Sequence, residues 1–206
     1  MEQHTTDCII LRKTQFKETS LIISSLSKDY GKLDFIIQGA KKINAKNFPI
    51  IDLFRVIKGD FSLKNNGLNK ISSPELVDNY DSIVQNSNNY MTGCTIAQFV
   101  TANTQPMMEM PLLYTALKNA LNCLSKETTS ISWVTMIKLV YLHEEGLLPS
   151  ILGGENSKES EHKKQDILRS ILEFACGGDP VDLPESYWIP LTNWVDSLCS
   201  YQGIKH

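Results

Sequence analysis

Paired cysteines are missing from this sequence. The five present, Cys8, Cys94, Cys123, Cys176 and Cys199, are never closer than 23 residues. That spacing excludes the C-x-x-C pairs of zinc sites and thiol redox motifs. An odd, scattered set fits reduced, buried thiols in a cytosolic protein. No apolar run reaches the length of a membrane-spanning helix. No N-terminal segment has the basic, apolar and small-residue order of a signal peptide. Histidine is scarce: His4 and His206 are terminal, and His162 lies in a polar stretch. His143 neighbours Glu144 and Glu145 at a helix end, where a histidine sits for dipole reasons. G-x-S-x-G, a Walker loop, H-E-x-x-H and G-x-G-x-x-G are all absent. The expectation is a protein with no catalytic residues, no metal and no cofactor.

What is present is a charge asymmetry. The chain has 206 residues and a net charge of -3. Residues 1–72 hold twelve Lys and Arg against seven Asp and Glu, and residues 73–206 hold eight against sixteen. A basic head on an acidic body points to a polyanion partner for the head.

The head reads as β structure. In Tyr30–Lys42, Leu33, Phe35 and Ile37 alternate with Lys32, Asp34, Ile36 and Gln38, the period of a strand with one face in a core. Gly31 and Gly39 bracket that strand. Lys41, Lys42 and Lys46 then cluster on a loop, which is either a polyanion contact or a solvated surface. Cys8–Leu11 entering Arg12-Lys13 reads as a first strand and Ser20–Ser27 as a second. Asp52–Lys58 is a fourth, turned by Gly59-Asp60, and Phe61 begins a fifth. Asn65-Asn66-Gly67 is a hairpin turn. Such strands make a small barrel, and the pattern alone leaves the oligonucleotide-binding (OB) and SH3-like types both open.

At Pro74-Glu75 the apolar spacing becomes helical. Helices are expected within 78–104 (one, or two broken near Asn86), from Pro111, from a Ser130 cap to Gly146, over Asp166–Cys176, and over Pro190–Tyr201. Residues 153–165 contain no apolar side chain and read as a mobile loop or linker. The fold class expected is α+β, an N-terminal barrel over 1–74 followed by an all-α helical bundle over 75–206.

Basic residues at strand ends can converge on one rim of a small barrel. Phe16 and Phe48 stand in polar segments and are stacking candidates or loop anchors. Phe35, Phe54, Phe61, Trp133 and Trp194 fall on apolar faces and read as core.

Several segments together resemble a known family. They are Asp7-Cys8-Ile9-Ile10-Leu11-Arg12, Phe16-Lys17-Glu18-Thr19-Ser20, Tyr30-Gly31-Lys32, Gly39-Ala40-Lys41-Lys42 and Gly146-Leu147-Leu148-Pro149. In this order they resemble the bacterial recombination mediator RecO. Three departures stand out: Gln38 replaces a usual lysine, Lys41-Lys42 replace two arginines, and Ser20 replaces a turn aspartate. Lysine keeps the charge but not the bidentate phosphate geometry. No cysteine pair stands where many members have a zinc module.

The resemblance implies an OB-fold barrel that binds single- and double-stranded DNA, anneals complementary strands and acts in DNA repair without turnover chemistry. It implies RecR as a partner, RecA loading as the outcome, and a nucleoid-associated protein of the bacterial cytoplasm. It also implies that the helical part contacts the acidic tail of single-stranded DNA-binding protein, with Lys118, Lys138 or Arg169 supplying the positive charge. The expected DNA-binding set is Arg12, Lys13, Phe16, Lys32, Lys41, Lys42, Lys46 and Lys58.

Overall fold

The computed structural model describes residues 3–39, 50–63, 68–126, 132–149, 158–179 and 184–205; for 158–164 and 185 it describes the backbone alone. Five strands come first: β1 (His4–Phe16), β2 (Ser20–Ser27), β3 (Gly31–Ile37), β4 (Arg55–Ser62) and β5 (Asn69–Asn79). They close in the order β1-β2-β3-β5-β4. All neighbours are antiparallel except β3 and β5, which run parallel with Phe35 beside Asn69 and Ile36 beside Lys70. That parallel closure decides between the two small barrels in favour of the OB-like one.

Two glycines mark close approaches of the backbone, and one of them overturns an expected boundary. Gly59-Asp60 is not a turn; both residues lie inside β4, which runs on through Phe61. The register shifts between Lys58 and Asp60, and a Cβ on Gly59 would come within 2.8 Å of the Ile71 side chain. This glycine permits a bulge and a close approach, not a reversal. Gly31 (φ 62) starts β3 as expected, but for a further reason. A Cβ there would meet the Met108 carbonyl oxygen at 2.1 Å, because the segment after the first long helix folds back onto this strand.

A short 3₁₀ turn (Asp81–Gln85) leads to five helices: α1 (Ser87–Asn103), α2 (Pro111–Ser125), α3 (Trp133–Glu144), α4 (Lys158–Ala175) and α5 (Glu185–Tyr201). The expected break near Asn86 is a cap. The Asn86 side chain accepts hydrogen bonds from the backbone N–H groups of Asn88 and Asn89, starting α1. Pro111 occupies the first turn of α2. Ser132 is the N-cap residue of α3, and the expected cap Ser130 lies outside the described residues.

Two helices start earlier than expected. α4 begins at Lys158, within the stretch expected to be a loop. Lys, Glu and Gln are good helix formers whatever their polarity, so a missing apolar period hides such a turn. α5 begins at Glu185, so Pro190 lies inside it. β5 also runs to Asn79, five residues past the change of character at Pro74.

The apolar interior has two parts that share a wall. Cys8, Ile10, Ile23, Phe35, Ile57 and Phe61 fill the barrel, with Phe35 and Phe61 edge to face at 5.4 Å. Ile9, Leu11, Leu26 and Val56 point outwards, into the core of the helices. β1 is therefore buried on both faces over Cys8–Leu11, which is why that run shows no alternation. Phe54 completes the junction. It adopts φ 61, is 2 % exposed, and packs on Gly93 of α1, where a Cβ would stand 3.0 Å from the ring.

Phe54→Ala should cost about 3–5 kcal/mol, as for other large-to-small core changes. Urea unfolding followed by both fluorescence and circular dichroism is expected to show one coincident transition at a lowered midpoint. Separate transitions for barrel and helices would contradict a shared core.

Candidate nucleic-acid interface

One face that the helices leave uncovered lies across β1, β2, β3 and β5. Its side chains follow from register, because residues directly opposed across a ladder share a face. Arg12 stands beside Ser24, and Ser24 beside Asp34. One step along, Thr14, Ile22, Ile36 and Lys70 form a row. Phe16 pairs with Ser20 at the hairpin end. Three inter-strand steps make this row roughly 14 Å wide. A register shift between Ile10 and Arg12 separates the part of β1 under α1 from the open part.

The hairpin tip is tight. Lys17 has φ 54, and its ammonium lies 5.5 Å from the centre of the Phe16 ring. Arg12 and Lys70 are exposed and have no ion-pair partner among the described residues. Ile22 and Ile36 are half-buried. The open face thus has an apolar centre and a cationic edge, with one carboxylate, Asp34, between them.

The expected site residues separate on the fold. Arg12 and Phe16 belong to this face. Lys13 stands at the same end of β1 but is tied to Asp52 by an ion pair of 2.6 Å. Asp52 also accepts from the Leu53 N–H at 2.8 Å. Lys32 is drawn to the opposite end of the barrel. Its half-buried ammonium donates to the Thr101 carbonyl at 3.0 Å, joining β3 to the end of α1. Lys58 is exposed on β4, between Asp7 on β1 and Glu75 on β5. A single rim holding all of these residues is therefore not what forms, because strand direction and register distribute them. Lys41, Lys42 and Lys46 lie outside the described residues, as do Phe48 and the expected hairpin turn Asn65-Asn66-Gly67. The described flanks of that segment are at the hairpin end: β3 finishes with Ile37 beside Leu21, and Asp52 meets Lys13.

Lys17 and the Ile22–Ile36 pair are the parts of this face that the sequence pattern did not single out. The signal was available in Ile36, an apolar residue among the outward-facing set of β3.

The helices hold a second concavity, a cleft of ≈ 540 Å³ between α2, α3 and α4. Leu112, Val140, Leu168 and Leu172 line it, with Arg169, His143 and the acidic Glu173 among its polar residues. Of the three expected cations only Arg169 reaches it. Lys118 lies 3.6 Å from Asp78, and the buried Lys138 is paired with Asp196 at 2.7 Å.

Nothing nucleophilic stands out among the described residues. Burial pushes the Cys8 thiol up to about 12, which keeps it protonated and inert. No group of three or more His, Cys, Asp or Glu among them is placed to hold a metal ion. No described helix is long and apolar enough to cross a membrane.

The Asp52 carboxyl gives a check on the local electrostatics. Burial raises its pKa, but the hydrogen bond from Lys13, the Leu53 N–H and the charges of Lys13 and Arg55 outweigh that and hold it below the ordinary value. A depressed carboxylate stabilises the fold above its unfolded-state pKa and loses that contribution as pH falls through the folded one. Lys13→Met should move the Asp52 titration up in pH, read by NMR of the side-chain carboxyl. An unmoved titration would show that Lys13 is not its partner in solution.

Comparison with known proteins agrees with this architecture. Residues 1–80 match the family described as "Recombination protein O N terminal". A "DNA repair protein RecO" of Bacillus pumilus is 23% identical over 182 residues, 86% of this chain and 70% of that protein. One of Listeria monocytogenes serotype 4b is 29% identical over 112 residues, 52% of this chain and 41% of that protein. One of Mesoplasma florum is 27% identical over 128 residues, 60% of this chain and 47% of that protein. The chain therefore spans less than half the length of the Listeria and Mesoplasma proteins that it matches. The OB-like barrel is thus similar to the N-terminal domain of RecO proteins, and the Bacillus pumilus alignment carries that similarity on through the helices.

Proposed function

We propose that this protein is a recombination mediator of DNA repair that binds DNA across the open β1–β2–β3–β5 face. The observation that supports this reading most is the composition of that face: Arg12 and Lys70 around half-buried Ile22 and Ile36, with Phe16 and Lys17 at the hairpin tip. Strands 2 and 3 and the adjoining loops are where OB barrels take oligonucleotides. Cations at the edge meet phosphates, and the apolar centre with Phe16 meets unstacked bases. Single strands expose both chemistries at once. Duplex DNA is engaged through its phosphates, with Lys41, Lys42 and Lys46 as further contacts.

Annealing of complementary strands follows in this reading from holding a strand by its backbone with weak hold on its bases. Partnership with RecR and assistance to RecA loading on protein-coated DNA complete the proposed role, which needs no bond-making chemistry. The acidic, hydrophobic-ended tail of single-stranded DNA-binding protein is proposed to enter the cleft between α2, α3 and α4. The apolar lining and Arg169 support that assignment.

Fluorescence anisotropy of a labelled single-stranded oligonucleotide, repeated over a range of salt, tests the proposal. Each phosphate contact contributes about 0.7 to the slope of log affinity against log salt on single strands. Arg12→Ala and Lys70→Ala should each weaken binding and flatten the slope by about that amount. The double change of Lys41 and Lys42 to Ala should do so more strongly. Phe16→Ala should cost about 1–3 kcal/mol with the slope unchanged, the signature of lost stacking. Lys58→Ala, on the other face, should behave as wild type. Equal losses from Lys58→Ala and Arg12→Ala would move the site off this face.

A further inference from the structure

The last helix has more apolar surface than the core covers. Trp188, Val195 and Cys199 of α5 are buried. Beside them runs a second stripe, Tyr187, Leu191, Trp194, Leu198 and Tyr201, at spacings of four, three, four and three residues. Leu191, Trp194 and Leu198 pack against the edge of the helical core and remain half-buried, while Tyr187 is 53% exposed and Tyr201 is 85% exposed. This is the spacing of a helix seam that meets another helix. It extends over about 21 Å.

The stripe has a symmetry of its own. Read in either direction its order is Tyr, Leu, Trp, Leu, Tyr. Two such helices packed antiparallel about a two-fold axis would set Trp194 on its counterpart, Leu191 opposite Leu198, and Tyr187 opposite Tyr201. A two-fold interface requires this self-complementarity, because the same patch serves both partners. Charge favours the same occupant. The only charged residues of α5 are Glu185 and Asp196; neither belongs to the stripe, and Asp196 is tied to Lys138. Two copies can therefore meet here without like-charge contact, whereas an acidic or basic partner would find nothing on the stripe to pair with.

We propose that this flank of α5 is the interface of an antiparallel dimer with a second copy of the chain. The exposed area sets its strength. Buried aromatic side chains cover roughly 150–250 Å² each, so the stripe offers about 400 Å² per copy, half of the roughly 800 Å² per partner in a standard stable interface. The dimer is weak and concentration-dependent. It would put two open barrel faces in one particle, the arrangement needed to bring two DNA strands together. The interface itself does not rest on DNA binding.

Sedimentation velocity over roughly 1 µM to 1 mM, the range of weak association, tests it without DNA. A reversible monomer–dimer equilibrium is expected. The double variant Tyr187→Glu/Tyr201→Glu should raise the dimer dissociation constant at least about tenfold, since it buries charge in the interface. Met91→Glu, equally outward on α1, should leave it unchanged. Both tyrosines are exposed, so folding is not at stake. The double variant Tyr187→Cys/Tyr201→Cys should oxidise to a dimer linked from 187 of one copy to 201 of the other, located by peptide mass spectrometry. Links from 187 to 187 would overturn the antiparallel arrangement. A monomer across the whole range, or a glutamate variant that associates as tightly as wild type, would overturn the interface.

Discussion

The double burial of β1 is the constraint on which the rest of the structure depends. Over Cys8–Leu11 this strand supplies the wall of the barrel with one face and the floor of the helical core with the other. A strand in that position has no freedom of register, because a slip by one residue would exchange its two apolar faces and disturb both cores together. Phe54 enforces the same junction from the turn just before β4, in a backbone conformation that a non-glycine residue adopts at a cost. The barrel is thus held by α1 over one part of its surface.

The open part takes its chemistry from where β1 leaves the helices. At Ile9 and Leu11 the outward side chains of β1 are aliphatic and covered; after the register shift they are Arg12, Thr14 and Phe16. The same strand therefore serves stability in its first half and exposure in its second. An irregularity between the two lets the strand change its aim without breaking either ladder.

Much of this was legible from residue order and some was not, for identifiable reasons. The alternation in β3, the proline start of α2 and the asparagine break before α1 are local signals, and local physics decided them. Gly59 misled because glycine serves both turns and close approaches, and only the Ile71 contact distinguishes them. The start of α4 was hidden because Lys158–Lys164 contains no apolar residue, so the sequence offers no period to read there. The OB and SH3-like barrels could not be separated from strand count, since the parallel β3–β5 contact is a long-range fact. Among the candidate cations, Arg12 gave no local sign of differing from Lys32. The difference lies in a carbonyl 69 residues away, at Thr101.

That last contrast bears on how charge should be read in a protein of this kind. A basic head of twelve cations sounds like a polyanion site, yet Lys13, Lys32 and Arg55 are each committed to a partner within the fold. The cations that matter for a ligand are the ones the fold leaves uncommitted on a shared face. The acidic body bears on this face only weakly. At physiological salt, exposed charges farther apart than about 8 Å are largely screened from each other. The acids of the helices therefore weigh little on a phosphate lying across β1 to β5. Asp34 stands within that face, in the same row as Ser24 and Arg12.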